Sequence, residues 1–286
     1  MEPYQHYSAI GRGSFGIVDL YKAADGKFVI IKKISLEYLT EKEEKTTYRE
    51  AEMMSRLNHP NIIHFYNCFV DDRSLHIVME YAQGGTLKEY IDKRKGVLIA
   101  EMEVVYLFSQ LVLGLHHVHK ADILHRDLKP SNILLHAVGI HTVFKIADFG
   151  LSKMLESKTK LSSILGTPCY LAPELCEGHS YGKGCDIWAL GCILCEIMTL
   201  EKAFGAQQEA LGSVVRKILQ CQYSRPNAEK YGRHLRSLLD RLLSVDPAQR
   251  PTTEMIMADI AVAEMCLKLP LNIGLIACQS TFSNSN

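Results

Sequence analysis

His125-Arg126-Asp127-Leu128-Lys129-Pro130-Ser131-Asn132 decides the reading of this chain. A carboxylate, a lysine two residues on and an amide five residues on share a stretch that its proline keeps from continuing as a helix. Asp127 can orient and deprotonate a hydroxyl, Lys129 can neutralise charge on a transferred phosphoryl group, and Asn132 can offer its amide oxygen to a metal. Downstream, Asp148-Phe149-Gly150 joins an acid to a glycine that lets the chain swing. Asp148 is a candidate Mg²⁺ ligand, since Mg²⁺ takes one or two carboxylates plus phosphate oxygens in preference to a complete protein cage.

Working towards the N-terminus, Ile10-Gly11-Arg12-Gly13-Ser14-Phe15-Gly16-Ile17-Val18 is a glycine-rich turn between strand patterns. Its glycines let backbone N–H groups approach a polyphosphate. A dinucleotide-binding turn has the same glycine spacing but opens a helix, whereas Ile17 to Lys22 continues as strand, so a hairpin is expected. Val29-Ile30-Ile31-Lys32 ends a strand with a lysine among apolar neighbours, where a charge is costly without an anionic partner. Glu50 and phosphate oxygens are candidate partners; taken alone, Lys32 and Lys33 also fit solvated strand-end lysines. Glu52 is the rival acid, but two residues along a helix is roughly 200° around it, so it faces away if Glu50 faces in.

The remaining pattern divides the chain in two. Alternating apolar and polar residues over 7–35 predict twisted antiparallel strands. Thr40 and Glu43 have capping-box spacing, and Glu50, Met54 and Leu57 follow on one helical face until His59-Pro60. Two further strand-like runs, 62–69 and 74–81, lead to a break at Gln83-Gly84-Gly85, after which the pattern is largely helical. Leu107, Leu111, Leu115 and Val118 mark one long helix, and Ile187 to Thr199 a second that is apolar nearly all round and therefore central. The tail after Leu267 has no periodic signal and is expected to be disordered.

Composition excludes several classes. The chain has 286 residues, 47% of them hydrophobic, with 32 Lys+Arg against 32 Asp+Glu. There is no global field to draw it to nucleic acid, and no stretch reads as a membrane span. Nine cysteines without paired spacing read as reduced intracellular thiols, in cytosol or nucleus. Cys192 and Cys195 lie in an apolar helix without a second ligand pair and are expected in the core, while His116, His117 and His119 crowd a helix end and are expected to be solvated or helix-terminal.

Taken together and in order, the glycine loop, Val-Ile-Ile-Lys, His-Arg-Asp, Asp-Phe-Gly and Ala172-Pro173-Glu174 resemble the eukaryotic protein kinase signature set. The resemblance implies an α+β, two-lobed fold over residues 4–260, with the N-lobe at 4–81, the C-lobe at 84–260 and a tail at 261–286. It implies ATP and Mg²⁺ between the lobes. Val18 and Ile30 would cover the adenine and Leu134 lie beneath it, with Glu80 and Ala82 bonding its edge through the backbone and Met79 as gatekeeper. Lys129-Pro130 and Gly166-Thr167-Pro168 are similar to serine/threonine kinases, with Thr167 bonding Asp127 and Lys129. Glu174 and Arg250 would brace the activation segment as a buried ion pair, and Asp186 would hold the catalytic-loop backbone.

More narrowly, His116-His117-Val118-His119, Gly166 to Glu174, Leu175-Cys176-Glu177-Gly178 and Asp186 to Cys192 resemble the NIMA-related (Nek) kinases, especially the subgroup carrying RCC1 repeats. Those repeats are absent here, which implies a fragment, an isoform or a divergent member. The family likeness ranks Ser163 first and Ser162 second as activating phosphosites, and implies a cytoplasmic enzyme with centrosome or cilium association. Its partners would be protein substrates and an activating kinase or scaffold. A pseudokinase scaffold, or a kinase held inactive until phosphorylated or partnered, is the alternative. No catalytic position is visibly substituted, which argues against the first.

Overall fold

In β3 (Phe28–Ser35) the alternation expected of a strand separates two faces. Val29 and Ile31 are buried with Val78 on the outer face of a sheet, while Ile34 enters the main core on the other, with Ile30 and Lys32 on that same side. The sheet is antiparallel throughout, in the order β1 (Tyr4–Gly13), β2 (Gly16–Ala23), β3, β5 (Ser74–Glu80), β4 (Phe65–Asp71). This computed structural model describes residues 4–13, 16–37, 39–138, 141–149, 168–205 and 209–269. Ser14, Phe15, Ser162, Ser163 and Thr167 lie outside the described residues, as do the side chains of Arg12 and Glu50.

Helix α1 (Glu41–Met54) packs on β4. Its capping box is present: the Thr40 hydroxyl accepts from Glu43 N–H and the Glu43 carboxylate accepts from Thr40 N–H. The helix ends earlier than the apolar spacing predicts. From Ser55 the N–H groups bond three residues back, tightening the chain, and Ser55 Oγ donates to the Glu52 carbonyl at 2.6 Å. Leu57 is buried from this turn rather than from the helix. The strand expected from residue 62 starts only at Phe65, because Ile62 bridges in parallel to Ile146 of the other lobe.

Among the described residues the second lobe is helical apart from one hairpin, β6 (Ile133–Val138) with β7 (His141–Ile146). Helix α2 (Leu87–Asp92) follows the inter-lobe hinge that begins at Glu80, and α3 (Glu101–Lys120) packs against β7 and α5 (Lys183–Thr199). Every residue of α5 from Cys185 to Met198 is buried, as its all-round apolar pattern demands. Cys192 and Cys195 are among them. A short α4 (Pro173–Cys176), α6 (Leu211–Leu219), α7 (Arg233–Leu242) and α8 (Thr253–Met257) complete the lobe. Residues 263–269 are also helical, with Cys266 and Leu269 buried, and 270–286 lie outside the described residues. None of the described helices is long and apolar enough to cross a membrane.

Candidate active site

Two glycines draw the elements around the cleft together. A Cβ on Gly16 would lie 1.9 Å from the Lys33 carbonyl oxygen, so the chain can enter β2 beside β3 only without a side chain. A Cβ on Gly84 would lie 2.5 Å from Leu135 O, the atom that accepts the Gly84 N–H at 2.7 Å. Leu135 N–H returns a bond to Gly85 O, and the hinge is thereby sewn to β6. Ile63, Ala82 and Ala147 form a small buried cluster with Met79 and Leu134 packed on it. Gatekeeper, hinge and floor positions expected around an adenine thus meet in one apolar patch. Ile30 pairs in register with Met79 and with Leu20, on the same face of β3 as Lys32.

In the His125–Asn132 loop, Asp127 Oδ2 accepts from Lys129 Nζ at 2.7 Å and from Asn132 Nδ2 at 2.9 Å. Asn132 Nδ2 also donates to the Asp127 carbonyl at 2.8 Å, which fixes the amide with its nitrogen toward Asp127 and its oxygen as the end left for another ligand. The Asp148 carboxylate lies 2.6 Å from Lys32 Nζ and is 43% exposed, while the lysine is 12% exposed. Asp148 has φ 58°, a left-handed conformation that turns it away from the path of β7. The donor set suits Mg²⁺: a half-open carboxylate and an amide oxygen, both hard, with room for phosphate oxygens. Among the described residues no group of three His, Cys, Asp or Glu side chains would hold a metal by itself.

His125 joins the two halves of this chemistry. It is fully buried; its Nε2 donates to the Ala147 carbonyl at 3.0 Å and its Nδ1 accepts Asp127 N–H at 3.2 Å. A carbonyl can only accept and an amide N–H can only donate, so the ring is neutral and its tautomer set. Burial, which pushes the imidazole pKa down, agrees. One ring therefore ties Asp127 to the residue before Asp148, and Phe149 packs against it at 4.9 Å.

Asp186, at the start of α5, receives four donors: His125 N–H at 2.9 Å, Arg126 N–H at 3.0 Å, Tyr181 OH at 2.6 Å and His119 Nε2 at 2.9 Å. Burial works to raise its pKa, but bonds from His119 and Tyr181 outweigh it and hold the carboxyl below its ordinary value. Arg126 can then keep φ 68°, which points the loop toward the cleft. His119 is helix-terminal, as expected, but it is not solvated, being only 5% exposed. Leu111, Leu115 and His119 recur at four-residue spacing, so the apolar stripe itself leads to this histidine. Tyr181 carries no comparable sequence signal.

Glu174 and Arg250 meet in a two-pronged ion pair at 2.7 and 2.8 Å. Arg250 also donates to the carbonyls of Ser244, Gly184 and Val245 and lies over the Trp188 ring, its guanidinium 5.1 Å from the centroid.

Residues 4–260 match the protein kinase domain. The chain belongs to the protein kinase family. It is similar to serine/threonine-protein kinase Nek8 of Danio rerio, 44% identical over 275 residues that make up 96% of this chain and 39% of Nek8. It is 35% identical over 286 residues to nekl-2 of Caenorhabditis elegans, 96% of this chain and 79% of that one. Nek5 of Homo sapiens is 38% identical over 259 residues, 90% and 36% of the two chains. The kinase domain is therefore of the Nek serine/threonine group, and it spans well under half of Nek8 and Nek5.

Proposed function

We propose that this kinase domain transfers the γ-phosphoryl group of ATP to serine or threonine hydroxyls of protein substrates. The observation that carries the reading is the His125 ring, which bonds both Asp127 and the peptide leading into Asp148, so that the hydroxyl-activating and metal-binding carboxylates belong to one rigid unit. Asp127, oriented by Lys129 and Asn132, accepts the substrate hydroxyl proton as the oxygen attacks phosphorus in line with the leaving β-phosphate oxygen. Lys129 neutralises charge on the transferring group. Lys32 turns from Asp148 to the nucleotide phosphates when they arrive, which leaves the Asp148 carboxylate for the metal. Asp148 and Asn132 would hold Mg²⁺, which when bound supplies positive charge across the phosphate oxygens.

The substrate side of the cleft carries Thr86 and Ser131 where an acid could receive a substrate arginine. Glu89, an acid near the hinge, is engaged by its own helix: its carboxylate accepts Thr86 N–H at 3.2 Å in a capping box. A large apolar residue is expected three positions before the target, and Arg is not expected to be selected there. The test is a positional peptide array with labelled ATP, using wild type and Asp127→Asn. The variant should lose transfer by about 10²–10⁴-fold while still binding nucleotide. Wild-type rates from Asp127→Asn would sink the kinase assignment, and a clear arginine preference would sink the reading of the substrate cleft.

A further inference from the structure

Behind the hinge lies an ion pair that no step above uses. Glu80, the last residue of β5, is bound on three sides. Its N–H donates to the His64 carbonyl at 2.8 Å, its Oε2 accepts His64 N–H at 3.1 Å, and the same carboxylate oxygen meets Lys145 Nζ of β7 at 3.0 Å. Both side chains are well buried, 16% and 11% exposed. His136 stands 3.8 Å from the other carboxylate oxygen. Its imidazole pKa is lowered, first by burial, so Lys145 is the cation of the group. The 61–64 segment is in turn laced to β7: Ile63 N–H bonds Ile146 O, and Ile146 N–H bonds Asn61 O, each at 2.9 Å.

Hinge, 61–64 segment and β7 therefore form a closed triangle, and the Lys145–Glu80 pair is its only side made by two charged side chains among the bonds just described. The triangle is joined to both ends of the nucleotide cleft. The Glu80 peptide belongs to the hinge edge expected to meet the adenine, and β7 runs from Lys145 directly into Ala147 of the apolar floor and Asp148 of the metal site. We propose that Lys145, acting through Glu80, is a positioning residue for the nucleotide, fixing the separation between the hinge backbone and Asp148. This deepens the phosphoryl-transfer reading and rests on its account of the nucleotide cleft. Lys145 touches neither end, so its removal acts on nucleotide affinity and leaves the peptide substrate's KM alone.

The experiment is titration of the 286-residue chain with ADP in the presence of magnesium, for wild type, Lys145→Met, Lys145→Arg and the double variant Lys145→Met/Glu80→Gln. Lys145→Met should raise the ADP Kd roughly three- to tenfold, Lys145→Arg should stay within about twofold of wild type, and the added Glu80→Gln should cost nothing further, as expected of partners in one interaction. An unchanged Kd in Lys145→Met overturns the proposal, even if the nucleotide-free melting temperature falls, since that pattern is stability alone. Independent, multiplying effects of the two changes also overturn it. Wild type that binds ADP but transfers no phosphoryl group defeats the kinase reading and leaves this comparison intact, whereas wild type that binds no ADP defeats both.

Discussion

Arg250→Ala removes the most heavily bonded cation described in the second lobe. Three kinds of interaction go together: a bidentate pair with Glu174, three bonds to the Ser244, Gly184 and Val245 carbonyls, and the contact over Trp188. The main cost is the Glu174 carboxylate left behind in a buried site, about 3–5 kcal/mol for breaking a buried pair from one side. Orphaned carbonyls add about 1–3 kcal/mol each wherever water cannot follow. Against a total of about 5–15 kcal/mol for a domain, that is enough to leave a substantial unfolded fraction. The cost also depends on pH. Burial works to raise the Glu174 pKa, and the Arg250 bonds outweigh it and hold it below 4.5. A lowered folded pKa contributes stability that is present above the unfolded value and is lost as pH falls through the folded one. Without Arg250 only the Glu174 backbone N–H and the Cys185 thiol still oppose burial, so the folded pKa rises and the gap between the two proteins should narrow as pH falls through the carboxylate range. Urea unfolding at neutral and acid pH measures both quantities. A loss under about 1 kcal/mol at pH 7, the scale of an exposed pair, would refute the reasoning.

The cleft supplies two more tests. Asp148→Ala should weaken binding of Mg·ATP itself, because the metal bridges the phosphates, and an unchanged affinity by calorimetry would remove Asp148 from the ligand set. Ile30→Ala should admit N6-substituted ATP analogues that wild type disfavours, by about 1–3 kcal/mol for the methylenes removed beside Met79. An identical analogue profile would show that Ile30 does not limit the site.

What the sequence made legible was local. Strand alternation in β3, the Thr40–Glu43 capping box and the apolar girth of α5 each follow from residues a few positions apart, and each recurs in the structure. Family membership was legible because the motifs stand in fixed order. What stayed hidden was assembled across the chain. Ile62 and Ile63 read as strand because they are apolar and β-branched, yet they are so because one bridges β7 and the other joins the hinge cluster. Lys145 read as nothing at all, since its partner Glu80 is far away in sequence and solvated lysines are the rule. His119 was half legible: its spacing placed it on the buried face, while its polar character argued for solvent.

The two acids of α5 show why residue type alone could not settle such positions. Asp186 and Glu196 lie in one apolar helix, both at least 95% buried, and their protonation leans in opposite directions. Asp186 is in the first turn, where the helix end favours negative charge, and four donors converge on it. Glu196 lies near the other end, where the helix disfavours that charge; burial raises its pKa, and the Tyr170 hydroxyl at 2.5 Å only partly offsets the rise. The charged acid organises the catalytic loop through backbone N–H groups, and with two donors on each oxygen neither has a place for a proton. The less readily ionised one fastens the Pro168–Tyr170 turn to the core, where a single hydroxyl partner is enough. In the sequence each is an acid in a hydrophobic run, and the difference between them lies in how many donors the rest of the chain brings to each.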